Sequence, residues 1–529
     1  MKILIIGLDG ATWEVLDDFV LQNFMPNLNG LKTGGCSGIL HSTEPPITPA
    51  AWTTCITGCQ PYTHGVFGFK DYCNETDELS ISSSTSCTVP TIFEELSKQG
   101  YKVASINVPW TYPCRKINGF MAAGYGIPST GAQFTYPDEL KNELLEKIKD
   151  YEVMAQWENL DGFDDEKFEK NVALVKRNFQ QRLETAQIIH DKLNCDVMMV
   201  QFQDIDLIQH HIWPCVDKKT RDKYSQQRDR LFLMFKRLDE IIGRLLEMED
   251  SSQSVVAVVS DHGFGPMLGS IRVNSLLYQW GYLKYKYPLG RFLRRMRRNF
   301  SNKQKKVTDS VSIELKKPID WKKSKAMVMY AAMNGHIYLN VKGRNPNGNI
   351  ERGHEYDECI RDLKERFGQV RCPVTGEKMF VKTATPAELY NTNKKELEKF
   401  GDLILVPRAG YITHQSTTKT KNPISLQAEG SPAGCHYPEG IYIFSGHGIK
   451  SGLERDAHIV DFAPTIYAAA GGKLPNYIDG SVMTDIFSNA IKIEYESEDK
   501  KTFRTKKQAL SEEEQQLIHQ RLAELGYMD

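Results

Sequence analysis

Three short segments of the sequence place aspartate and histidine side chains where they could bind metal ions. Asp9 follows the apolar run ILIIGL, and the pair Asp261 and His262 follows SVVAVVS. In DIDLIQH, Asp206 and His210 are four residues apart, a spacing that puts both side chains on one face of a helical turn. Mixed Asp and His ligation is typical of zinc, and manganese also accepts it. Two such ions would stabilise the attacking and leaving oxygens of an in-line phosphoryl transfer.

A threonine hydroxyl is the candidate nucleophile for such a centre. Thr48 lies in PPITPAAW, within a Gly-, Pro-, Ser- and Thr-rich stretch that we expect to be a long irregular segment. Long irregular segments inside compact domains are usually functional. The alternative for Thr48 is a loop hydroxyl that hydrogen-bonds the local backbone. Its residue type leaves both interpretations open.

The elements that must position these residues are short apolar strands. Strands over 3–8, 196–202 and 254–260 each end in an aspartate, and YKVASINVPW predicts a further strand that ends at Asn107. Helix-like stretches alternate with them, which predicts an α/β three-layer sandwich, a mostly parallel central sheet with helices on both faces. Ligands gather at the carboxyl ends of the strands in such sheets, which is where these aspartates stand.

Composition divides the chain into four stretches: the first part of a catalytic core (1–265), an inserted cap for substrate specificity (266–400), the completion of the core (401–490) and a charged tail with a C-terminal helix (491–529). DLILV and GIYIFSGHGI are expected to return the chain to the central sheet. Ser511 and Glu514 form a capping box that predicts the start of the last helix. The Ser/Thr-rich stretch 74–88 is expected to be an exposed loop.

Charge and hydropathy exclude several classes of protein. Lys and Arg number 66 against 67 Asp and Glu, so net charge offers no argument for nucleic acid or for an acidic membrane surface. No apolar run is long enough to cross a bilayer, and we see no secretory signal. The 11 cysteines include no C-x-x-C pair and are expected to be reduced thiols. We therefore expect a cytoplasmic protein without specific nucleic-acid binding.

One basic segment, RFLRRMRR at 291–298, departs from this neutral balance. It could attract a polyanionic substrate, a partner protein or an acidic lipid surface, the last as a peripheral membrane contact. We favour the simpler interpretation, a solvated helix of the cap. The sequence carries no signal for an oligomeric state.

As a set, the motifs make the chain resemble the alkaline phosphatase superfamily, and within it the type I phosphodiesterase/nucleotide pyrophosphatase branch. The resemblance rests on blocks in the family's order: LIIGLDG, TPAAWTTCITGCQPYTHGVFGF, DIDLIQHHIW, VVSDHGFG and GCHYPEGIYIFSGHGI. The insertion, with DWKKSKAMVM and HIYLNVKGRNPNG, is similar to a bacterial group of phosphohydrolase/phosphomutase proteins. The resemblance implies an alkaline-phosphatase-like fold and two divalent ions, zinc or alternatively manganese.

The resemblance also implies a nucleophile and the ligands of the ion beside it. Thr48 matches the family's nucleophile and would itself bind that ion. Asp9, Asp261 and His262 would hold the same ion. Attack by Thr48 would form a phosphothreonine intermediate, which water then hydrolyses.

The remaining matches imply a second ion and a contact to the substrate. Asp206, His210 and His436 (in HYPEG) would hold the second ion, whereas His447 falls where the family more often has proline. Asn107 is either a hydrogen-bond donor to a phosphoryl oxygen or a turn asparagine.

The function expected from the resemblance is a two-metal phosphohydrolase that acts on a small phosphodiester or nucleotide anhydride. No arginine lies near Thr48 in the sequence, whereas a phosphomonoesterase would place a guanidinium on the free phosphate oxygens. Alternatives on the same scaffold are a phosphomutase, a phosphomonoesterase and an inactive binding or scaffold protein.

Overall fold

The computed structural model describes twelve stretches of the chain: 2–17, 24–73, 76, 78–154, 165–249, 252–286, 319–331, 333–392, 395–416, 420–427, 433–496 and 510–524. Two compact units account for its contacts. Unit 1 comprises Met1–Phe69, Ile81–Met267 and Glu429–Asp529, and unit 2 comprises Lys70–Ser80 and Leu268–Ala428. The basic segment 291–298 lies outside the described residues.

A large sheet forms the centre of unit 1. Its strands are, in spatial order, Leu453–Glu454, Gly35–His41, Glu439–Gly446, Val255–Val259, Ile3–Leu8, Val197–Phe202, Val103–Val108, Gly119–Ala123 and Thr135–Tyr136, with Ala457–His458 also paired to Gly35–His41. The five strands from Val255–Val259 to Gly119–Ala123 are parallel to one another. Glu439–Gly446 runs antiparallel to both of its neighbours, so GIYIFSGHGI returns to the central sheet as predicted.

Helices cover the sheet because its strands are apolar on both faces. Every residue of Ile3–Leu8 is buried. Ile5 shares one buried cluster with Trp52 and Ile466, which belong to two different helices. Leu8 projects from the opposite face, since it is an odd number of positions away, and it lines a small void with Phe235 of a third helix. The predicted α/β fold is therefore confirmed.

The helices of unit 1 are Trp13–Val15, Pro26–Thr33, Thr48–Thr57, Pro61–His64, Ile92–Lys98, Leu140–Lys147, Asp165–Leu193, Asp204–Val216, Ser225–Leu246, Phe462–Ala470 and Glu512–Glu524, with 3-10 turns at Ser84–Ser86, Arg221–Tyr224, Ile459–Asp461 and Thr484–Ile486. The last helix begins as predicted, because Ser511 and Glu514 exchange side-chain and backbone hydrogen bonds. In the described part of the chain, no helix combines the length and the apolar character that a membrane span requires.

The stretch predicted to be irregular, 26–65, is mostly regular. It contains three helices and the strand Gly35–His41. Prolines stand in the first turn of each helix, where a missing N–H costs no hydrogen bond. Gly58 and Gly65 end two of these helices in the left-handed conformation, with φ of 67° and 85°. The prolines and glycines that suggested a loop are helix boundaries.

The prediction of an exposed loop at 74–88 is also wrong for its last part. Ser82, Ser84 and Ser86 are buried. The hydroxyl of Ser82 accepts a hydrogen bond from Trp110 Nε1 at 2.8 Å, and that of Ser84 donates to the carbonyl of Pro113 at 2.7 Å. Hydroxyl groups can be buried when they are hydrogen-bonded in this way.

Unit 2 contains sheets of its own. Antiparallel strands form a four-stranded sheet in the order Ala326–Ala331, Gly335–Leu339, Leu403–Pro407 and Phe380–Ala384, a second sheet contains Tyr411–His414, Gly269–Arg272 and Ile424–Leu426, and Lys70–Cys73 pairs with Glu78–Ile81. Its helices are Val273–Gln279, His354–Gly368 and Pro386–Tyr390, with a 3-10 turn at Lys395–Phe400. DLILV thus does not rejoin the central sheet. Its strand, Leu403–Pro407, pairs with Gly335–Leu339 instead. The prediction was wrong because an apolar run indicates that a strand is buried but does not specify its partner strand.

Candidate metal centre

The first cluster of ligand side chains lies at the ends of two adjacent parallel strands. Ile3–Leu8 pairs with Val255–Val259, which brings Asp9 beside Asp261 and His262. The Nε2 atom of His262 is 3.2 Å from Asp261 Oδ2 and 3.8 Å from Asp9 Oδ1. All three side chains are buried, and their ligand atoms lie within 4.8 Å of one another.

The second cluster combines a helix and a short strand. Asp206 and His210 lie one turn apart on the helix Asp204–Val216, as their spacing predicts. His436 lies on Gly434–Tyr437, opposite Phe264. Its Nε2 atom is 3.1 Å from Asp206 Oδ1 and 3.0 Å from His210 Nε2. These three residues also place their ligand atoms within 4.8 Å of one another.

The two clusters adjoin. His262 Nε2 of the first cluster is 4.0 Å from Asp206 Oδ1 of the second. The rings of His262 and His436 are stacked, with centroids 3.6 Å apart. The structure therefore brings six of the seven predicted ligand side chains, all but Thr48, into one continuous centre.

Backbone carbonyls determine which nitrogen each histidine directs into the centre. The Nδ1 atoms of His262, His210 and His436 lie 3.1, 3.2 and 3.0 Å from the carbonyl oxygens of Gly263, Gly434 and Pro46, respectively. A carbonyl only accepts, so each Nδ1 carries a proton and each Nε2 is the nitrogen that faces the centre. The Nε2 atoms of His210 and His436 lie 3.0 Å apart, close enough for one cation to bind both. Such carbonyl contacts are typical of metal-binding histidines.

Unused ligand atoms in the first cluster fit a divalent cation as well. Asp9 Oδ1, Asp261 Oδ2 and His262 Nε2 are buried and make no hydrogen bond in the described part of the chain. The other carboxylate oxygens are occupied: Asp261 Oδ1 accepts from the Gly10 N–H at 3.2 Å, and Asp9 Oδ2 accepts two N–H groups. Buried polar atoms rarely lack a partner, so the unused atoms mark a place for an ion.

Electrostatics favours a cation at the same place. Burial, together with the neighbouring carboxylates, raises the pKa of Asp9 and of Asp261 well above the ordinary value. Burial likewise lowers the pKa of His262 and brings that of His210 to about 4, so both rings stay neutral. For Asp206, burial alone would raise the pKa, but the adjacent histidines His210 and His436 lower it overall. A divalent ion would balance this concentration of buried carboxylates.

Thr48 lies in the sequence between Pro46 and Trp52, two residues that contact different clusters. It is the first residue of the helix Thr48–Thr57 and is fully buried. Two residues earlier, Pro46 binds His436, and one helical turn later Trp52 Nε1 donates to Asp9 Oδ2 at 2.6 Å. Thr48 and Trp52 share a face of the helix. The hydroxyl of Thr48 makes no hydrogen bond in the described part of the chain, so a local backbone bond is not its role.

Asn107 is buried at the end of its strand, with a left-handed φ of 62°. Its Nδ2 atom donates to both the backbone and the side-chain oxygen of Gln201, each at 3.2 Å. Both amide hydrogens are therefore engaged, and a donor to a phosphoryl oxygen would require this amide to move. A substrate contact by Asn107 stays a prediction.

Three other polar residues near the motifs do not belong to either ligand cluster. His64 is buried and lies 2.9 Å from the Thr54 hydroxyl, and Asp204 accepts from Asn178 at 3.2 Å. His447 is exposed on the surface.

Sequence reasoning missed Trp52 and Gln201, the two side chains that bind Asp9 Oδ2. Gln201 donates to this oxygen from Nε2 at 2.8 Å. The one signal for Gln201 is a polar residue in the otherwise apolar strand VMMVQF. Trp52 carried no signal of its own, because an aromatic residue is usually explained by burial in the core.

Comparison with known proteins agrees with this architecture. The family model for type I phosphodiesterase/nucleotide pyrophosphatase matches residues 3–432. None of the curated proteins matches the sequence. A solved phosphonoacetate hydrolase from Sinorhizobium meliloti 1021, in complex with phosphonoformate, is similar with a TM-score of 0.56 at 16% identity, over 89% of this chain and 95% of that one. Human ectonucleotide pyrophosphatase/phosphodiesterase 5 is similar with a TM-score of 0.54 at 13% identity, over 92% of this chain and 100% of that one. At these identities the likeness shows the fold, which is alkaline-phosphatase-like.

Proposed function

Because the chain belongs to the type I phosphodiesterase/nucleotide pyrophosphatase family, we propose that it is a two-metal phosphodiesterase or nucleotide pyrophosphatase that acts through a phosphothreonine at Thr48. The observation that carries the proposal is the pair of adjoining clusters, each with three ligand side chains within 4.8 Å of one another. Trp52 of the Thr48 helix contacts the first cluster, and Pro46, two residues before Thr48, contacts the second.

Each cluster would hold one divalent ion. Asp9, Asp261 and His262, with the Thr48 hydroxyl, form the set on the nucleophile side, and Asp206, His210 and His436 form the other. When bound, the two ions supply positive charge to the attacking and leaving oxygens of the displacement. Zinc is our choice of metal, with manganese as the alternative, because imidazole and carboxylate ligands suit both.

The reaction uses Thr48 twice. Its hydroxyl gives up its proton to water and Oγ1 attacks phosphorus in line, so that the bond from phosphorus to the leaving oxygen breaks and that oxygen takes up a proton from water. Water then attacks the phosphothreonine, which releases the phosphoryl product and restores the threonine hydroxyl. The N-terminal end of the ten-residue helix Thr48–Thr57 favours the negative charge at this position. We assign the three histidines as ligands and none as a general base, because Nδ1 of each faces a backbone carbonyl and each belongs to a ligand cluster.

The substrate that we propose is a small phosphodiester or nucleotide anhydride. A monoester dianion would require a guanidinium on its free oxygens, and no arginine lies near Thr48 in the sequence. We assign substrate specificity to the inserted stretch 266–400. The eleven cysteines, all free thiols, support a cytoplasmic location.

Three chromogenic substrates test this function. The purified protein, supplied with zinc or manganese, is assayed on bis-p-nitrophenyl phosphate, a p-nitrophenyl nucleotide ester and p-nitrophenyl phosphate. We expect faster turnover of a diester than of the monoester. A faster monoester rate would overturn the diesterase assignment, and a protein that binds neither metal would overturn the two-metal centre.

A further inference from the structure

The two oxygens of the Asp9 carboxylate have different surroundings. Oδ2 accepts a hydrogen bond from Trp52 Nε1 at 2.6 Å and another from Gln201 Nε2 at 2.8 Å. Oδ1 makes none in the described part of the chain and lies 3.8 Å from His262 Nε2. One oxygen is therefore held by two donors, and the other faces the ligand cluster.

The indole of Trp52 reaches Asp9 because position 7 of the strand Ile3–Leu8 is a glycine, which has no side chain in the space that the indole occupies. A Cβ atom on Gly7 would lie 2.8 Å from Trp52 Cη2 and 2.9 Å from Gln201 Cγ. Both side chains occupy the space that any other residue at position 7 would fill. Gly7, the one position of the apolar run without a side chain, therefore leaves the space in which the side chains of Trp52 and Gln201 lie.

The amide of Gln201 is itself held in one orientation. Gln201 lies opposite Gly7 in the parallel ladder. Its Oε1 atom accepts from Asn107 at 3.2 Å, and its Nε2 atom also lies 3.1 Å from Gln203 Oε1. Because a carboxylate oxygen only accepts, Nε2 must be the group that faces Asp9. Asn107, Gln201 and Asp9 therefore form one directed chain of hydrogen bonds.

We propose that Trp52 and Gln201 are positioning residues for the ion on the nucleophile side. By holding Oδ2 they prevent rotation of the carboxylate and direct Oδ1 at the ion. This inference rests on the proposed two-metal function. Loss of a hydrogen-bonding partner that orients a metal ligand typically lowers metal affinity by about 10- to 100-fold.

Zinc binding by the metal-free full-length protein tests the proposal. Equilibrium dialysis against a zinc series should show two bound ions for the wild type. Trp52→Phe removes one donor and keeps an aromatic ring, and Gln201→Met removes the other donor with a side chain of similar length. We expect each to weaken one of the two ions by about 10- to 100-fold and to leave the affinity for the other unchanged.

Trp110→Phe is the matched control. Its indole N–H also makes a buried hydrogen bond, 2.8 Å long, but to the hydroxyl of Ser82 and not to a ligand. We expect this variant to bind both ions as the wild type does. Thermal unfolding of the metal-free variants shows whether each one folds, and if Trp52→Phe does not, Gln201→Met decides.

The outcomes separate this inference from the function on which it rests. Wild-type affinities in both variants, or equal weakening of both ions, would overturn the positioning role while leaving the two-ion centre intact. A wild-type protein that binds no zinc and no manganese would overturn the proposed function itself.

Discussion

His262 and His436 stack at a centroid distance of 3.6 Å with an angle of 20° between their rings, although each belongs to a different ligand cluster. Each ring is also tied to a backbone carbonyl through Nδ1. The two clusters are therefore in direct contact through these rings, and a change that tilts one ring will also displace the other.

Asp9→Ala should remove the ion on the nucleophile side and leave the other. The variant deletes Oδ1, which faces the cluster, without touching Asp206, His210 or His436. We expect the bound zinc to fall from two ions to one, measured by elemental analysis after dialysis, with an unchanged circular dichroism spectrum. Asp204→Asn is the control, because Asp204 is buried close by but bonds to Asn178. Two retained ions with full activity in Asp9→Ala would refute the assignment.

Thr48→Ala should abolish turnover of a diester while the protein keeps at least the three-ligand part of each metal site. Loss of the attacking oxygen removes the first chemical step, and we expect a decrease in kcat of at least about 10³-fold. Thr57→Ala, on the last residue of the same helix, should retain activity, because its hydroxyl donates to the carbonyl of Thr53. Undiminished turnover in Thr48→Ala would exclude Thr48 as the nucleophile.

Gly7→Ala should destabilise the protein. The added methyl group would meet Trp52 and Gln201 at less than 3 Å within a packed core, a clash that typically costs about 1–3 kcal/mol. Gly30→Ala is the matched control, since a Cβ there meets nothing within 4 Å and the residue lies inside the helix Pro26–Thr33. We expect Gly30→Ala to raise the free energy of unfolding by about 0.5–1 kcal/mol. Denaturant unfolding of both variants measures the difference, and equal effects would contradict the packing argument.

His64 should make the stability of the protein depend on pH on the acidic side. Burial lowers its pKa from 6.5 to about 3. Between these values the unfolded chain binds a proton that the folded protein does not, so stability is lost as pH falls from 6.5 toward 3 and is restored as pH rises. His64→Asn should reduce the slope of the free energy of unfolding in this window by about 1.4 kcal/mol per pH unit.

The wild type is the reference for His64→Asn, because the comparison cancels the titration of the ligand clusters, which both proteins keep. An identical slope in His64→Asn and in the wild type would show that His64 does not titrate in this way.

Several features of the centre were predictable because they depend on local sequence. The strand Ile3–Leu8 and the aspartate that follows it could be identified from one run of apolar residues. The spacing of Asp206 and His210 predicts a shared helix face, and the helix Asp204–Val216 provides it. In contrast, Thr48 was expected in a loop and lies at a helix start, because proline and glycine mark helix ends as well as loops.

By itself, the sequence determined the residue types of the ligands and the strand ends on which the first ones lie, because apolar period and helical spacing are local properties. Only the tertiary structure decided how those ligands are aimed. Nε2 of each histidine faces the centre because Nδ1 is bound to a backbone carbonyl, of Gly263, Gly434 or Pro46. Oδ1 of Asp9 faces it because Oδ2 is bound by Trp52 and Gln201. Such choices join residues far apart in the chain, and a hydrogen bond between distant residues leaves no periodic trace in the sequence.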